Sequence, residues 1–326
     1  MMKKENDSLN TIRQRIVSTE LPVAIFSHPA PDGDSVGSTV GLWYLLKALG
    51  CSVEAVIPSP LPNRYAFMLD GVDCLTPPVD VKDKIAVLLD SSDEQRLAAI
   101  GQDVSQASLV VNIDHHRDNT RFGDLNHVDI SASAVGELIL ELYGGNPVPP
   151  QAAQALFTAI FTDTGRFSFA NTSARALKAA ARLVELGARP NVSHANVYQN
   201  KDINYYRFLA EALGNIRVLS EGKAALLVLE RSLLDKYGIP DWDLEGLQDY
   251  PRNLAGVEIA ATVREQADGT VKVSLRSRGK RDVAAIAHNL GGGGHLNASG
   301  IHGDWPTSQL LEKLTQAIDR ELSRNG

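Results

Sequence analysis

The sequence predicts an α/β protein: an N-terminal, mainly parallel sheet flanked by helices, followed by a smaller α+β unit. Three observations carry this. Short apolar runs at 22–27, 52–57, 84–89 and 108–113 alternate with helical patterns at 35–49, 93–100 and 133–143, the rhythm of a parallel sheet covered on both faces. Four apolar runs end in acids or imidazoles, and in an open α/β sheet the C-terminal strand edge is where ligands bind. The pattern changes after about residue 215, where strand-like runs at 223–229, 256–264 and 270–276 meet helices at 281–289 and 306–322. At 326 residues the chain is long for one core. The expected division is 1–187, a helical linker 188–214, and 215–326, with the site in a cleft between the outer two.

Taken in order, the polar N-terminus leads to a short helix at 11–18 and the first strand. Ser35 is the expected cap of a helix that stops at Gly50. The Pro-rich segments 58–62 and 76–80 read as loops. Residues 151–161 and 173–186 look helical, so Asp163 follows either a buried helix or a strand; periodicity does not decide. Gly187-Ala188-Arg189-Pro190-Asn191 is a break, and 193–213 reads as a polar helix with Tyr198, Tyr205, Tyr206 and Phe208. Those tyrosines could stack on bases, although a helix face of this kind more often packs. Asp268-Gly269 marks a hairpin between the last two strand-like runs.

The apolar fraction of 44% and charged fraction of 22% are ordinary for a soluble globular protein. A net charge of −7 argues against an electrostatic grip on long duplex nucleic acid, while a short phosphorylated substrate stays open if bound cations supply positive charge. No run of about 18 apolar residues exists, so no membrane span is expected. Cys51 and Cys74 sit in apolar settings and are expected as buried free thiols in a reducing, cytoplasmic environment.

The chemistry-bearing residues cluster at the strand ends. Val110-Val111-Asn112-Ile113 runs into Asp114-His115-His116. Val23-Ala24-Ile25-Phe26 runs into Ser27-His28-Pro29-Ala30-Pro31-Asp32-Gly33-Asp34. Ile85–Leu89 ends at Asp90, and Leu156–Phe161 leads into Thr162-Asp163-Thr164-Gly165. Asp32, Asp34, Asp90 and Asp163 with His28 and His115 would concentrate self-repelling negative charge unless cations were bound. Carboxylate and imidazole ligands without thiolate suit manganese, iron, cobalt, magnesium or zinc. A carboxylate such as Asp90 can bridge two ions ~3.5–4 Å apart, as in two-metal phosphoryl hydrolases. Asp114, Ser35 and Thr164 are expected to support rather than ligate. A lone aspartate after a strand is usually a turn or cap residue, so the case rests on the joint pattern.

Those motifs resemble the DHH phosphoesterases: His28-Pro29-Ala30-Pro31-Asp32-Gly33-Asp34-Ser35, Asp90, Asp114-His115-His116 and Asp163 match its N-terminal motifs. Gly291-Gly292-Gly293-Gly294-His295-Leu296-Asn297-Ala298-Ser299-Gly300 is similar to the signature of the family's DHHA1 substrate domain. The resemblance covers nearly the whole chain and, by length and domain order, is nearest the NrnA-type subgroup. It implies a DHH catalytic domain at 1–187 and a DHHA1 substrate-binding domain at 215–326. It implies two divalent ions, manganese foremost and magnesium or cobalt as substitutes. One would be held by His28, Asp32 and Asp90, the other by Asp34, Asp90, His115 and Asp163. His116 would face the scissile phosphate, with Asp114 and Asp90 beside it in the catalytic set. The implied activity is hydrolysis of short oligoribonucleotides (nanoRNA) to mononucleotides and of 3′-phosphoadenosine 5′-phosphate (pAp) to AMP. A homodimer is the family-level expectation.

In the C-terminal part, Gly292, Gly293 and Gly294 let backbone amides approach an anion closely. No Lys-Ser or Lys-Thr follows, which excludes a P-loop. Arg276 and Arg278 share a strand face if the strand is regular, and arginine grips phosphate through paired hydrogen bonds. In the resembling family Arg276 and His295 would hold the phosphate or nucleotide end away from the ions, with Arg278 ranked lower. His127, His194, His288 and His302 match no motif. The rival readings are an inorganic pyrophosphatase or exopolyphosphatase, a linear or cyclic dinucleotide phosphodiesterase, and a nucleotide-binding regulatory protein. The last predicts a missing ligand, yet every motif carboxylate is present.

Overall fold

Four apolar residues, Val23–Phe26, form β1, and all four are buried. In the computed structural model, which describes residues 6–98, 100–244 and 246–324, this strand lies inside a six-stranded sheet. Its companions are β2 (Val53–Val56), β3 (Cys74–Leu75), β4 (Ile85–Leu89), β5 (Leu109–Asp114) and β6 (Leu125–Val128). The order is β3-β2-β1-β4-β5-β6, and every pairing is parallel. The strand order reverses between β1 and β4, so a crevice opens there at the C-terminal strand ends.

Helices α1 (Leu9–Val17), α2 (Gly33–Ala48), α3 (Gln95–Ala98), α4 (Val135–Leu142), α5 (Pro150–Asp163), α6 (Ala174–Glu185) and α7 (Pro190–Tyr198) complete a first compact unit, Met1–Asn200. Strand alternation divides its interior. Val23, Ile25, Val87, Leu89, Val111 and Ile113 face a large core shared with α1, α2, α4, α5 and α6. Ala24, Phe26, Ala86 and Leu88 face a smaller one with Leu97 and Val104.

The approach of α2 to α5 sets the geometry of the site. Gly33, Gly37 and Gly41 recur every four residues and so share one side of α2. A Cβ at these positions would lie 2.3 Å from Thr162 Oγ1, 2.4 Å from the Ala155 carbonyl oxygen and 2.4 Å from Leu156 Cδ2. The missing side chains let α2 lie nearly backbone to backbone on α5. This carries residues 32–34 up to the end of α5, where Asp163 stands.

The helix starts before the expected cap. Asp32 is extended and accepts the Ser35 N–H at 2.9 Å, so α2 begins at Gly33. Ser35 instead accepts the His28 N–H at 3.1 Å. The expected buried thiols are also corrected: Cys74 is exposed because the two-residue edge strand β3 is exposed throughout, and Cys51 is half-buried.

The segment read as one helix over 193–213 is two. α7 packs in the first unit, and α8 (Ile203–Gly214) belongs to the second, Lys201–Gly326, where Asp202 caps it by accepting the Tyr205 N–H. The second unit adds β7 (Arg217–Leu219), β8 (Ala224–Leu229), α9 (Arg231–Tyr237), α10 (Asp249–Arg252), β9 (Ile259–Glu265), β10 (Val271–Ser277), α11 (Val283–Asn289), β11 (Gly293–His295), β12 (Ala298–Gly303) and α12 (Thr307–Ser323). Its sheet runs β11-β12-β10-β9-β8-β7, antiparallel except for β8 with β9. Among the described residues, no helix of either unit is long and apolar enough to cross a membrane.

Candidate metal centre

The crevice beside β1 and β4 collects the predicted acids and imidazoles. His28 follows β1, Asp32 and Asp34 open α2, Asp90 follows β4, Asp114-His115-His116 closes β5, and Asp163 is the last residue of α5. Asp163 therefore arrives on a helix end, one of the two options the pattern left open. Asp34, Asp90 and Asp114 are each at most 3% exposed, a depth at which a carboxylate needs compensating partners. Asp90 also holds a left-handed backbone, φ 56°, a strained conformation for a non-glycine residue and one that clusters at functional sites.

Asp90 stands between two imidazoles. Its Oδ2 is 3.4 Å from His28 Nε2, and its Oδ1 is 3.5 Å from His115 Nε2. His28 Nε2 lies 3.6 Å from Asp32 Oδ2; His115 Nε2 lies 3.9 Å from Asp34 Oδ2 and 3.8 Å from Asp163 Oδ2. These separations are long for hydrogen bonds. They are close to the roughly 3.0–3.5 Å that separates two ligands of one ion bound at about 2.1 Å. Donor atoms of His28, Asp32 and Asp90 gather within 4.8 Å of one another, as do those of Asp34, His115 and Asp163.

The donor set fits divalent ions. Asp90 Oδ1 is buried and, among the described residues, accepts no hydrogen bond. His115 Nδ1 is 3.2 Å from the Ala132 carbonyl oxygen. Donation there fixes the tautomer that presents Nε2, the usual arrangement for a ligating histidine. A third grouping, Asp90, His115 and His116, is also compact, but His116 Nδ1 is committed to Asp114 Oδ1 at 2.7 Å.

Charge confirms the crowding. Burial, then the neighbouring Asp90 and Asp163, push the Asp34 carboxyl well above its ordinary range. Burial raises Asp163 to about 7, with Asp32 and Asp90 adding to the effect. Burial also disfavours ionised Asp90, but His115 and His28 outweigh it and hold that carboxyl well below the usual range. Burial opposes protonated His28 and His115, yet the carboxylates around them win and carry the two imidazoles up to about 10 and about 11.

Asp114 orients rather than joins this set. Its Oδ1 accepts the His115 N–H at 2.8 Å and the His116 Nδ1–H, and its Oδ2 accepts Asn119 Nδ2 at 2.5 Å. Asp114 raises the His116 imidazole above its ordinary range. Asn119 is buried and also donates to Asn112 Oδ1 at 2.8 Å and to the Ser91 carbonyl. Sequence reading passed over Asn119; its place five residues after Asp114, in a turn, was the available signal. Thr164 supports the turn after Asp163, donating to the Ile160 carbonyl and accepting the Phe167 N–H at 3.2 Å.

In the second unit the glycine run is an edge strand rather than a loose loop. β11 pairs with β12 so that Gly293 meets Gly300, Gly294 meets Ser299 and His295 meets Ala298. A Cβ on Gly292 would lie 2.1 Å from the Gly300 carbonyl oxygen, and one on Gly294, at φ 139°, would lie 2.6 Å from that of Ala298. Arg276 on β10 also pairs with Ala298. Directly opposed residues share a face, so Arg276 and His295 flank the small Ala298 side chain at about 10 Å, two strand spacings. Burial, then Arg252, lower the Arg276 guanidinium from its ordinary value. Arg278, just beyond β10, donates to the Arg252 carbonyl at 2.8 Å. Arg252, on α10, is a cationic neighbour that the sequence did not single out. The tyrosines pack: Tyr198 edges against Phe161 and Tyr205 lies near Phe208, whereas Tyr206 is exposed.

The DHH family N-terminal domain model matches residues 22–160, and the DHHA1 domain model matches residues 224–324. The bifunctional oligoribonuclease and PAP phosphatase NrnA of Thermus thermophilus is 31% identical over 98% of this chain and 96% of its own length. The Bacillus subtilis protein of the same name is 29% identical, covering 88% of this chain and 90% of its own. An exopolyphosphatase-related protein from Bacteroides fragilis has the same fold, with a TM-score of 0.87 at 24% identity over 96% of each chain. The chain belongs to the DHH family of phosphoesterases, with a DHHA1 domain at its C-terminal end.

Proposed function

We propose that this enzyme hydrolyses short oligoribonucleotides to mononucleotides and pAp to AMP, using two divalent ions. His28, Asp32 and Asp90 would hold one ion, and Asp34, Asp90, His115 and Asp163 the other. The observation that carries the reading is the placement of Asp90, a buried carboxylate with one oxygen toward each histidine group. Manganese suits the mix of imidazole and carboxylate donors. The substrates rest on the two NrnA relatives, named as oligoribonucleases and PAP phosphatases. A cytoplasmic location and a homodimer are carried as parts of the same reading.

Such ions, when bound, neutralise phosphate charge and activate water for attack at phosphorus. The chain's own residues supply the rest. His116 gives its Nδ1–H to Asp114, so Nε2 is the nitrogen left for a phosphate oxygen or the leaving alcohol. Asp114 favours the imidazolium, which suits a donor to developing negative charge. Asn119 keeps Asp114 in place. In the second unit Arg276 and His295 would grip a further phosphate of the substrate, with Gly292, Gly293 and Gly294 holding the edge strand and Arg278 contributing less directly.

The test is product release by the manganese-loaded protein from a ribodinucleotide, a short oligoribonucleotide, pAp, pyrophosphate and polyphosphate. Turnover of the dinucleotide or pAp far above pyrophosphate is expected. The reverse preference would move the chain to the pyrophosphatase side, and no turnover with metal bound would favour a regulatory role.

A further inference from the structure

We infer that the turn Ala132–Glu137, latched by Arg175, holds one of the two ion positions and leaves the other alone. The inference rests on the two-ion reading above and adds to it which residues set the second position.

Each member of the Asp34, His115 and Asp163 group touches this turn or a residue bonded to it. Asp34 Oδ2 accepts the Val135 N–H at 2.6 Å, and its Oδ1 accepts the Gly136 N–H at 3.0 Å. These are the first amides of α4, which otherwise lacks a side-chain cap, so Asp34 caps that helix from another element. His115 Nδ1 bonds to the Ala132 carbonyl. Asn171 Nδ2 donates to the carbonyls of both Asp163 and Ser133, at 3.1 Å and 3.3 Å. By contrast, the His28 amide bonds to the Ser35 hydroxyl, Asp32 accepts the Ser35 and Val36 amides, and the Asp90 amide bonds to the Ile113 carbonyl, all outside this turn.

The turn is itself anchored by buried charge. Glu137, 1% exposed, accepts the Ser133 N–H at 2.7 Å. Arg175, on α6, lies 3.4 Å from Glu137 Oε2 and 2.8 Å from Glu141 Oε1, and also pairs with Asp129. Among the described residues none donates a hydrogen bond to Glu137 Oε2, and Arg175 is its counter-charge. Losing Arg175 would leave a buried carboxylate uncompensated and free the turn to shift. That shift would pass to Asp34 through two amides and to His115 through one carbonyl. Outer partners of metal ligands typically change affinity 10–100-fold.

The experiment is manganese binding to the metal-free full-length protein, followed by calorimetry and by the electron spin resonance of free ion. The variants are Arg175→Met, Arg175→Lys and Glu137→Gln, with Asp32→Asn to identify the step belonging to the other position. For Arg175→Met, one binding step is expected to weaken about 10–100-fold while the step erased by Asp32→Asn stays within about twofold. Arg175→Lys and Glu137→Gln should fall between Met and wild type, and they carry the test if Arg175→Met does not fold. Equal weakening of both steps, or an unmoved pair in a folded variant, would overturn the latch. A wild-type protein that binds a single ion would instead overturn the two-ion reading beneath it.

Discussion

Replacing Gly37 by alanine tests the close approach on which the centre depends. The added Cβ would sit 2.4 Å from the Ala155 carbonyl oxygen and 3.0 Å from Ala159 Cβ. The first obstacle is backbone, which cannot rotate away. Opening that contact toward an ordinary distance moves α2 off α5 by about 1 Å, and overpacking of this kind costs about 1–3 kcal/mol. Alanine returns ~1 kcal/mol of helix propensity, so a net loss of about 0–2 kcal/mol, centred near 1, is expected. For a unit of this size a loss of about 1 kcal/mol lowers the melting temperature by roughly 2–4 °C. Because α2 carries Asp34 and α5 carries Asp163, a displacement near 1 Å should also lower turnover about 100-fold. The assay is thermal unfolding of the metal-free protein beside manganese-dependent turnover. Gly214→Ala is the control, since nothing lies within 4 Å of its Cβ. A Gly37→Ala protein that melts at or above the wild-type temperature and turns over normally would refute the backbone-to-backbone packing.

Four further outcomes follow from the site. Asp90→Asn should abolish turnover and metal retention with the fold intact, and wild-type activity in that variant would remove the shared-ligand proposal. Asn119→Ala strips donors from Asp114, Asn112 and the Ser91 carbonyl, so it should cost about 2–4 kcal/mol in denaturant unfolding and lower kcat more than it raises KM; an unchanged kcat would show that Asp114 needs no such anchor. His28 and His115 keep protons in the fold up to about 10 and about 11, against 6.5 ordinarily. Folded metal-free protein therefore binds more protons than unfolded chain above that ordinary value, and its stability falls as pH rises through the window. Asp163, raised from 3.8 to about 7, adds the same sign at lower pH. Ion binding displaces those protons, so the manganese-induced gain in melting temperature should grow from about pH 6 to about pH 8, and a shrinking gain would contradict the assignment. His295→Ala should slow turnover of pAp while leaving bound metal unchanged; an emptied metal site would overturn the division of labour between the units.

The cluster of acids and imidazoles was legible because its members stand at or just after apolar runs that can only be buried strands or helices. His28, Asp90 and Asp114 need no knowledge of tertiary structure to be placed at a sheet edge. Asn119, Glu137, Arg175 and Arg252 escaped because each acts on a partner brought close by folding, and a lone polar residue in a helix or turn carries no such mark. The four-residue spacing of Gly33, Gly37 and Gly41 was a signal that went unread, whereas β11 carried none, since glycine disfavours strands and only pairing with β12 makes one. Ser35 and Asp32 are both capping residue types. Asp32 takes the role while the Ser35 hydroxyl accepts the His28 N–H.

Asp163 ends the fifth helix, far along the chain from His28, and α5 is also the helix against which α2 is held. A ribosome adds residues at about 5–20 per second, so for several seconds the growing chain displays the earlier acids and imidazoles without the element that positions them. Over that interval the emerging segment has donors but no finished cage, and it cannot hold an ion with the grip of the mature fold. Under the two-ion reading, metal capture is thereby tied to the arrival of α5, and the choice of ion falls to the folded centre rather than to whichever cation first meets the nascent chain.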